Sequence, residues 1–148
     1  MSHSFTQLTD HIVFATKHRV PIIEEAIEAP LYDALKGIIR DQDGIPIEVN
    51  GMPDHVHVLA RLSPVRAVSD VLRVLKANSS ARMTETMPAF GWQNGYAAFS
   101  VSRSNVDTVR RYIQDQKRHH ANKSFIDEFR QLLEAYDYHP TEADLLRE

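Results

Sequence analysis

The sequence predicts an α+β fold: an antiparallel sheet in the order β-α-β-β-α-β, with further helices at the C-terminal end. Three observations predict it. Short stretches rich in Val, Ile and Phe alternate in polarity, as at Thr9 to Thr16 and His55 to Leu62. Longer stretches between them carry apolar residues at helical spacing, as at Ile27, Leu31, Leu35 and Ile38. A chain of 148 residues with 43% hydrophobic content suits one domain with a real core. The element order is that of the split βαβ, ferredoxin-like pattern.

The elements follow in order. Thr9 to Thr16 is the first strand, left through a basic turn at Lys17 to Pro21. Glu24 to Arg40 is the first helix, with Pro30 placing its proper start near that residue. Asp41 to Gly44 turns the chain into a second strand, Ile45 to Asn50. Gly51-Met52-Pro53-Asp54 has hairpin chemistry and leads into a third, antiparallel strand, His55 to Leu62. Ser63-Pro64 opens a second helix over Val65 to Thr84, with Val68, Val71, Leu72 and Leu75 as its buried stripe. Pro88 to Gly95 is irregular and contains Trp92; Tyr96 to Ser102 is a fourth strand. Ser104 to Asp107 resembles a capping box and starts a third helix, running to about His120. Ser124 to Asp127 repeats that signature before a fourth helix that buries Phe125, Phe129, Leu132, Leu133 and Tyr136. Thr141 to Glu148 forms a short terminal turn. The whole of 1–148 is expected to be a single domain, with an acidic helical tail from about residue 124.

Composition excludes some chemistries. With no cysteine there is no disulfide framework and no thiolate metal site. No signal peptide and no apolar run of membrane-spanning length is present, so a cytoplasmic protein with no membrane partner is expected. The net charge is −3, but it is unevenly spread. Residues 1–123 carry 15 Lys and Arg against 13 Asp and Glu; residues 124–148 carry 2 against 7. An acidic tail thus masks a mildly basic body.

Two stretches carry the chemistry. In a strand, i and i+2 share a face, so His55, His57, Leu59 and Arg61 lie together, opposite the wholly apolar set Val56, Val58, Ala60 and Leu62. The apolar set must face the core. The two imidazoles then face a late helix, with a spacing that suits two ligands on one metal. The ordinary alternative is a half-exposed strand with two unremarkable histidines. On a helix, i and i+4 share a face, so Tyr112, Gln116 and His120 line one stripe, apart from Val106, Val109 and Ile113. The alternative there is a polar, solvent-facing side.

Taken together, the stretches suggest phosphodiester chemistry. A phenol has a pKa of about 10 and attacks poorly at neutral pH, so its electrophile must be activated by something else. A divalent ion held by His55 and His57 can polarise a phosphate oxygen. The amide oxygen of Gln116 is a candidate third ligand. Covalent capture on Tyr112 conserves the bond energy, so a cut strand can be rejoined without ATP.

With these residues in view, the chain resembles the single-tyrosine HUH transposases of bacterial insertion sequences and their REP-associated relatives. The resemblance rests on Pro53 to Leu59 and on Tyr112 with Gln116. It extends to His11 to Phe14, Lys17 to Arg19, Trp92 to Tyr96, Ala98 to Val101, and His119-His120 followed by Ser124-Phe125. It implies a ferredoxin-like core, a Mg²⁺ or Mn²⁺ ion, single-stranded DNA with hairpin ends as substrate, a 5′-phosphotyrosine intermediate and usually a homodimer. The metal pair carries over to His55 and His57, the third ligand to Gln116 and the nucleophile to Tyr112.

Further candidates are less defined. Asp54 can orient a histidine or serve only the turn. His119 and His120 can touch phosphate or lie at the surface. Lys17, Arg19, Arg73, Lys76, Arg82, Lys117 and Arg118 are candidate backbone contacts, with solvated faces as the alternative. Trp92 can stack on an unpaired base. Two other readings stay open: a domesticated relative that binds hairpins without catalysis, and a metal or small-molecule domain unrelated to DNA.

Overall fold

The computed structural model describes residues 2–146. In chain order come β1 (Leu8–Ala15), α1 (Glu25–Asp41), β2 (Ile45–Met52), β3 (His55–Leu62), α2 (Val68–Thr84) and β4 (Ala97–Ser100). Then follow α3 (Val106–Gln114), α4 (Gln116–His119), α5 (Phe125–Ala135) and α6 (Glu142–Leu146). The strands pair antiparallel in the order β2-β3-β1-β4. This is the expected α+β, ferredoxin-like arrangement, with β1 and β3 central. Among the described residues no helix is long and apolar enough to cross a membrane.

The two faces of the sheet divide as strand alternation requires. Val56, Val58, Ala60 and Leu62 join Ile12 and Phe14 in the main core, packed against Leu31, Leu35 and Ile38 of α1 and Leu72 and Leu75 of α2. The opposite face is covered by α3 and α5. Leu59 packs on Ile113, and Val13 and Ala15 pack with Phe125. The turn joining β2 to β3 is tight, since Met52 pairs with His55 and only Pro53 and Asp54 lie between. Gly51 is needed there because a Cβ would collide with the His55 carbonyl oxygen.

Several boundaries differ from the sequence expectation. α1 starts at Glu25, five residues before Pro30, which sits inside the helix. Proline removes one hydrogen bond, to the carbonyl of Ala26, and both residues lie on the exposed side, where water can replace it. α2 begins at Val68 rather than Val65, after a turn at Pro64 to Arg66. β4 spans only four residues, paired with Asp10 to Val13, while beyond it Val101 and Gln93 donate to the Thr9 and Ala15 carbonyls of β1 outside a regular ladder. Ser104 caps nothing. A 3-10 turn occupies Arg103–Asn105, α3 starts after Asn105 without a side-chain cap, and the Ser104 hydroxyl bonds Ser102 instead. The third helix also breaks at Asp115, giving α3 and α4. The second capping signature does form: Ser124 Oγ accepts from the Asp127 N–H and donates to its carboxylate. Tyr136 lies past the end of α5 and is exposed, stacked on Phe99. The terminal turn is the helix α6, and Arg147 and Glu148 lie outside the described residues.

Candidate active site

The histidine face of β3 carries the site. His55 and His57 are fully buried, as is Gln116, and the three meet a residue that sequence reasoning passed over, Glu128 of α5. Glu128 Oε1 lies 2.9 Å from His57 Nε2 and 3.3 Å from His55 Nε2. Its Oε2 accepts hydrogen bonds from the Tyr112 hydroxyl at 2.6 Å and from Gln116 Nε2 at 3.0 Å. His120 Nε2 lies 3.1 Å from the same oxygen but is not aligned for a hydrogen bond. Its Nδ1 donates to the Lys123 carbonyl.

Each imidazole is held from behind. Asp54, in the β2–β3 turn, accepts from His55 Nδ1 at 2.7 Å, while its carbonyl accepts from Thr16 N and Oγ1. His57 Nδ1 lies 2.8 Å from His11 Nε2, on the neighbouring strand β1. His57 pairs with Asn50 across the β2–β3 ladder. The Asn50 side chain donates to the carbonyls of Ile113 and Gln114, the groups freed where α3 breaks. Lys117 Nζ binds the Gly51 carbonyl and Glu28, and Glu48 accepts from Arg110 and Gln114. The edge strand β2 thus clamps the α3–α4 break. The break keeps Tyr112, Gln116 and His120 converging on Glu128, although they no longer share one continuous helix.

The protonation states follow from these partners. Burial opposes charge on His55, but its hydrogen bonds to Asp54 and Glu128 prevail, and its pKa is raised. Burial lowers His57 to about 4 and His11 to about 3, with the neighbouring imidazole adding to the effect. Burial also raises Glu128, but the bonds it accepts from His55 and His57 outweigh it and leave the carboxyl far below its ordinary range. The Tyr112 phenol is pushed well above its usual value by burial, then by the hydrogen bond and charge of Glu128.

The donor set fits a cation. His55 Nε2 faces Gln116 Oε1 at 3.2 Å and Glu128 Oε1 at 3.3 Å, two acceptors, so only a proton or a cation can lie among them. Donor atoms of His55, His57 and Glu128 all lie within 4.8 Å of one another. Imidazole with carboxylate and amide oxygen is a set that takes divalent metals. Tyr112 is beside the histidines of its own chain, its ring 5.8 Å from that of His57 and 4.8 Å from that of His119. Tyr112, His119, Lys123, Glu128 and Gln131 line a cleft of about 280 Å³ that opens onto the phenol.

The remaining candidates are distributed elsewhere. Trp92 packs edge-on against Phe14 and Phe90 and donates to Ser79, so it belongs to the main core. Lys76 holds the carbonyls of Gln93 and Gly95. Arg73 pairs with Asp70 and Arg118 with Asp115, both within one helical turn. Lys17 and Arg82 are exposed, and Arg19 has φ of 54° in the 3-10 turn Lys17–Arg19. None of these seven touches the cleft at Tyr112.

Comparison with known proteins gives a consistent answer. The family description "Transposase IS200 like" matches residues 4–116. The ISDra2 transposase TnpA of Deinococcus radiodurans is 30% identical over 122 residues, covering 74% of this chain and 84% of its own. A crystal structure described as a candidate transposase from the R1 strain of that organism superposes with a TM-score of 0.63 at 25% identity. It covers 78% of this chain and 95% of the other. The structure of a REP-associated tyrosine transposase bound to a REP hairpin also gives 0.63, at 14% identity, over 82% of this chain and 73% of that one. That last likeness is one of fold.

Proposed function

The chain belongs to the IS200-like transposase family, and from that premise we propose that it cuts and rejoins single-stranded DNA through a covalent bond to Tyr112. One observation carries the reading: a phenol, two imidazoles and an amide from three separate elements converge on one carboxylate, Glu128. His55, His57, Glu128 and the Gln116 oxygen would hold a divalent ion, Mg²⁺ or Mn²⁺. When bound, the ion supplies a Lewis acid for a non-bridging phosphate oxygen. Asp54 and His11 contact the Nδ1 atoms of the two imidazoles, so that Nε2 of each faces Glu128 and would be free to serve as a ligand.

The chain's own part in the chemistry follows from the geometry. The raised phenol pKa keeps Tyr112 protonated until a phosphate is in place. Its hydroxyl oxygen then attacks phosphorus, its proton passes along the bond to Glu128 and on to solvent, and the departing 3′-oxygen takes up one proton from solvent and leaves as a hydroxyl. The 5′-phosphate stays on the tyrosine. Attack by a 3′-hydroxyl reverses the step and rejoins the strand. His119 and Lys123 at the mouth of the cleft contact the entering phosphate. In this reading the chain works as one unit, with the acidic segment after residue 124 contributing Glu128. DNA with a hairpin is the substrate, and the protein is a homodimer of about twice 16.9 kDa.

The test is denaturing electrophoresis of protein incubated with Mn²⁺ and a labelled, hairpin-bearing strand. Wild type should give a covalent band, and Tyr112→Phe should give none while keeping DNA affinity. A full-strength band in the variant removes Tyr112 as nucleophile. The second reading, hairpin binding without catalysis, is favoured by the complete burial of His55 and His57. It prevails if wild type binds hairpins but forms no adduct on any of them.

A further inference from the structure

We infer that the cleft between the sheet and the start of α3 is a second nucleic-acid contact, in which Arg61 and Arg103 grip a backbone phosphate. The inference rests on the proposed action on DNA and adds a binding site remote from Tyr112.

The cleft has a volume of about 560 Å³, and Gln7, Thr9, Ser104 and Asp107 line it beside the two arginines. Arg61 closes the row His55, His57, Leu59, Arg61 on one face of β3. Its cross-strand neighbours are Thr9 on β1 and Ile45 on β2, neither of which carries a charge. Some other arginines are matched, such as Arg66 with Asp43, Arg110 with Glu48 and Arg130 with Glu142, and the unmatched Arg40, Arg82 and Arg111 do not line this cleft. The side chains of Arg61 and Arg103 have no hydrogen bond or ion pair among the described residues. Asp107 shares the cleft but pairs with neither. The two guanidiniums outnumber the one carboxylate of the lining, Asp107, and leave the cleft net positive, which suits an anion. A guanidinium's planar fork matches the oxygens of a phosphate. Hydroxyl and amide side chains such as Thr9, Ser104 and Gln7 are the usual supplementary donors to a nucleic-acid backbone.

The location favours a phosphate of a strand over a free ion. Six positions of β3 separate Arg61 from His55, roughly 20 Å at the rise of a strand. α3 begins at the cleft, and Tyr112 follows Val106 by six residues, about 9 Å along the helix. A duplex strand advances about 3.4 Å per nucleotide, so the cleft lies on the order of three to six nucleotides from a phosphate at Tyr112. One strand can therefore occupy both sites. The arrangement fixes the register of the strand at a point where no bond is broken.

The experiment measures affinity for a hairpin-bearing single strand at several salt concentrations. The proteins are wild type, Arg61→Gln, Arg103→Gln, Arg61→Lys, Asp107→Asn and the control Arg66→Gln. Each phosphate contact contributes about 0.9 to the slope of log K against log salt on duplex, or about 0.7 on single strand. Each Arg→Gln change in the cleft should lower the slope by roughly that amount and weaken binding severalfold. Arg61→Lys should restore the slope, Asp107→Asn should tighten binding, and Arg66→Gln should leave the slope unchanged. Wild-type slopes in both cleft variants overturn the site, as does an equal loss on an oligonucleotide too short to span from the cleft to Tyr112. Competition by millimolar inorganic phosphate that is abolished in both variants, with DNA affinity untouched, assigns the cleft to a free anion and also overturns it. If wild type binds no DNA at all, the transposase reading fails first, and that failure is distinct from a changed slope.

Discussion

The two faces of the sheet are made from alternate residues of the same strands, yet they are held together by different physics. One face is hydrocarbon: Ile12, Phe14, Val56, Val58, Ala60 and Leu62 under α1 and α2. The other buries three imidazoles, a carboxylate and an amide under α3, α4 and α5. Removing apolar area from water stabilises the first face without any need for direction. Burying the polar groups of the second costs free energy unless every one is bonded, and Glu128 supplies acceptors for most of them. The division lets the hydrocarbon face carry stability while the other keeps groups poised for chemistry. Damage on the first should lower stability and leave reactivity per folded molecule alone; damage on the second should change both.

The sharpest test of that division is a cavity on the apolar face. Leu35 of α1 is fully buried in the main core. Leu35→Ala should cost about 2–5 kcal/mol in urea unfolding. The rate of adduct formation per folded molecule should match wild type. A stable variant with a slowed adduct would mean that the two faces are coupled.

The next effect is on the polar face. Glu128→Ala leaves the Tyr112 hydroxyl, Gln116 Nε2 and His57 Nε2 without their acceptor in a buried site. The loss should be about 1–3 kcal/mol in chelator. Wild type should gain thermal stability on adding Mn²⁺, by about 2.7 kcal/mol at a hundred times the dissociation constant. Glu128→Ala should lose much of that gain, and His57→Ala nearly all of it. A Glu128→Ala protein as stable as wild type, with an intact Mn²⁺ shift, would remove the carboxylate from both roles.

Asn50 should give a smaller change in stability with a disproportionate change in chemistry. Its amide holds the C-terminal end of α3 at two carbonyls. Asn50→Ala should cost about 1 kcal/mol. Small displacements of a nucleophile lower rates steeply, so adduct formation should fall roughly tenfold or more at saturating DNA and Mn²⁺. An unchanged rate would show that α3 is held by its apolar stripe alone.

How much of this was legible in the chain differs between the faces as well. Strand alternation at His55 to Leu62 gave both faces of β3, and the helical spacing of α1 and α2 gave the layer beneath. The pairing of Tyr112 with Gln116 was visible as an i, i+4 step. Glu128 was not read as a site residue because it sits in a stretch that reads as an acidic tail. A signal was present: Phe125, Glu128, Phe129 and Leu132 fall at i, i+3, i+4 and i+7, so a carboxylate occupies a core position of an amphipathic helix. His11 carries the same kind of signal, an imidazole on the inward face of β1 between Thr9 and Val13. The break at Asp115 had no local signature. It is imposed by Asn50 and Lys117, which are 65 and 2 positions away on either side of the contact, and long-range hydrogen bonds do not show in periodicity.

The smallest expected effect compares two serines with one sequence signature, both on helices that cover the polar face. Ser124 precedes α5, and its hydroxyl accepts the Asp127 N–H while donating to the Asp127 carboxylate. Ser124→Ala should therefore cost about 1 kcal/mol, the usual worth of a formed N-cap. It should also loosen the first turn of α5, which includes Glu128. Ser104 stands in a 3-10 turn, one residue before Asn105, and its hydroxyl reaches only Ser102 on the exposed surface. Ser104→Ala should change stability by less than about 0.5 kcal/mol, as exposed substitutions away from caps generally do. Parallel urea titrations of the two variants decide the matter. Equal losses would mean that Ser104 caps α3 in solution after all, and that the start of α3, with the tyrosine at its far end, is held by a local device as well as by the clamp from β2.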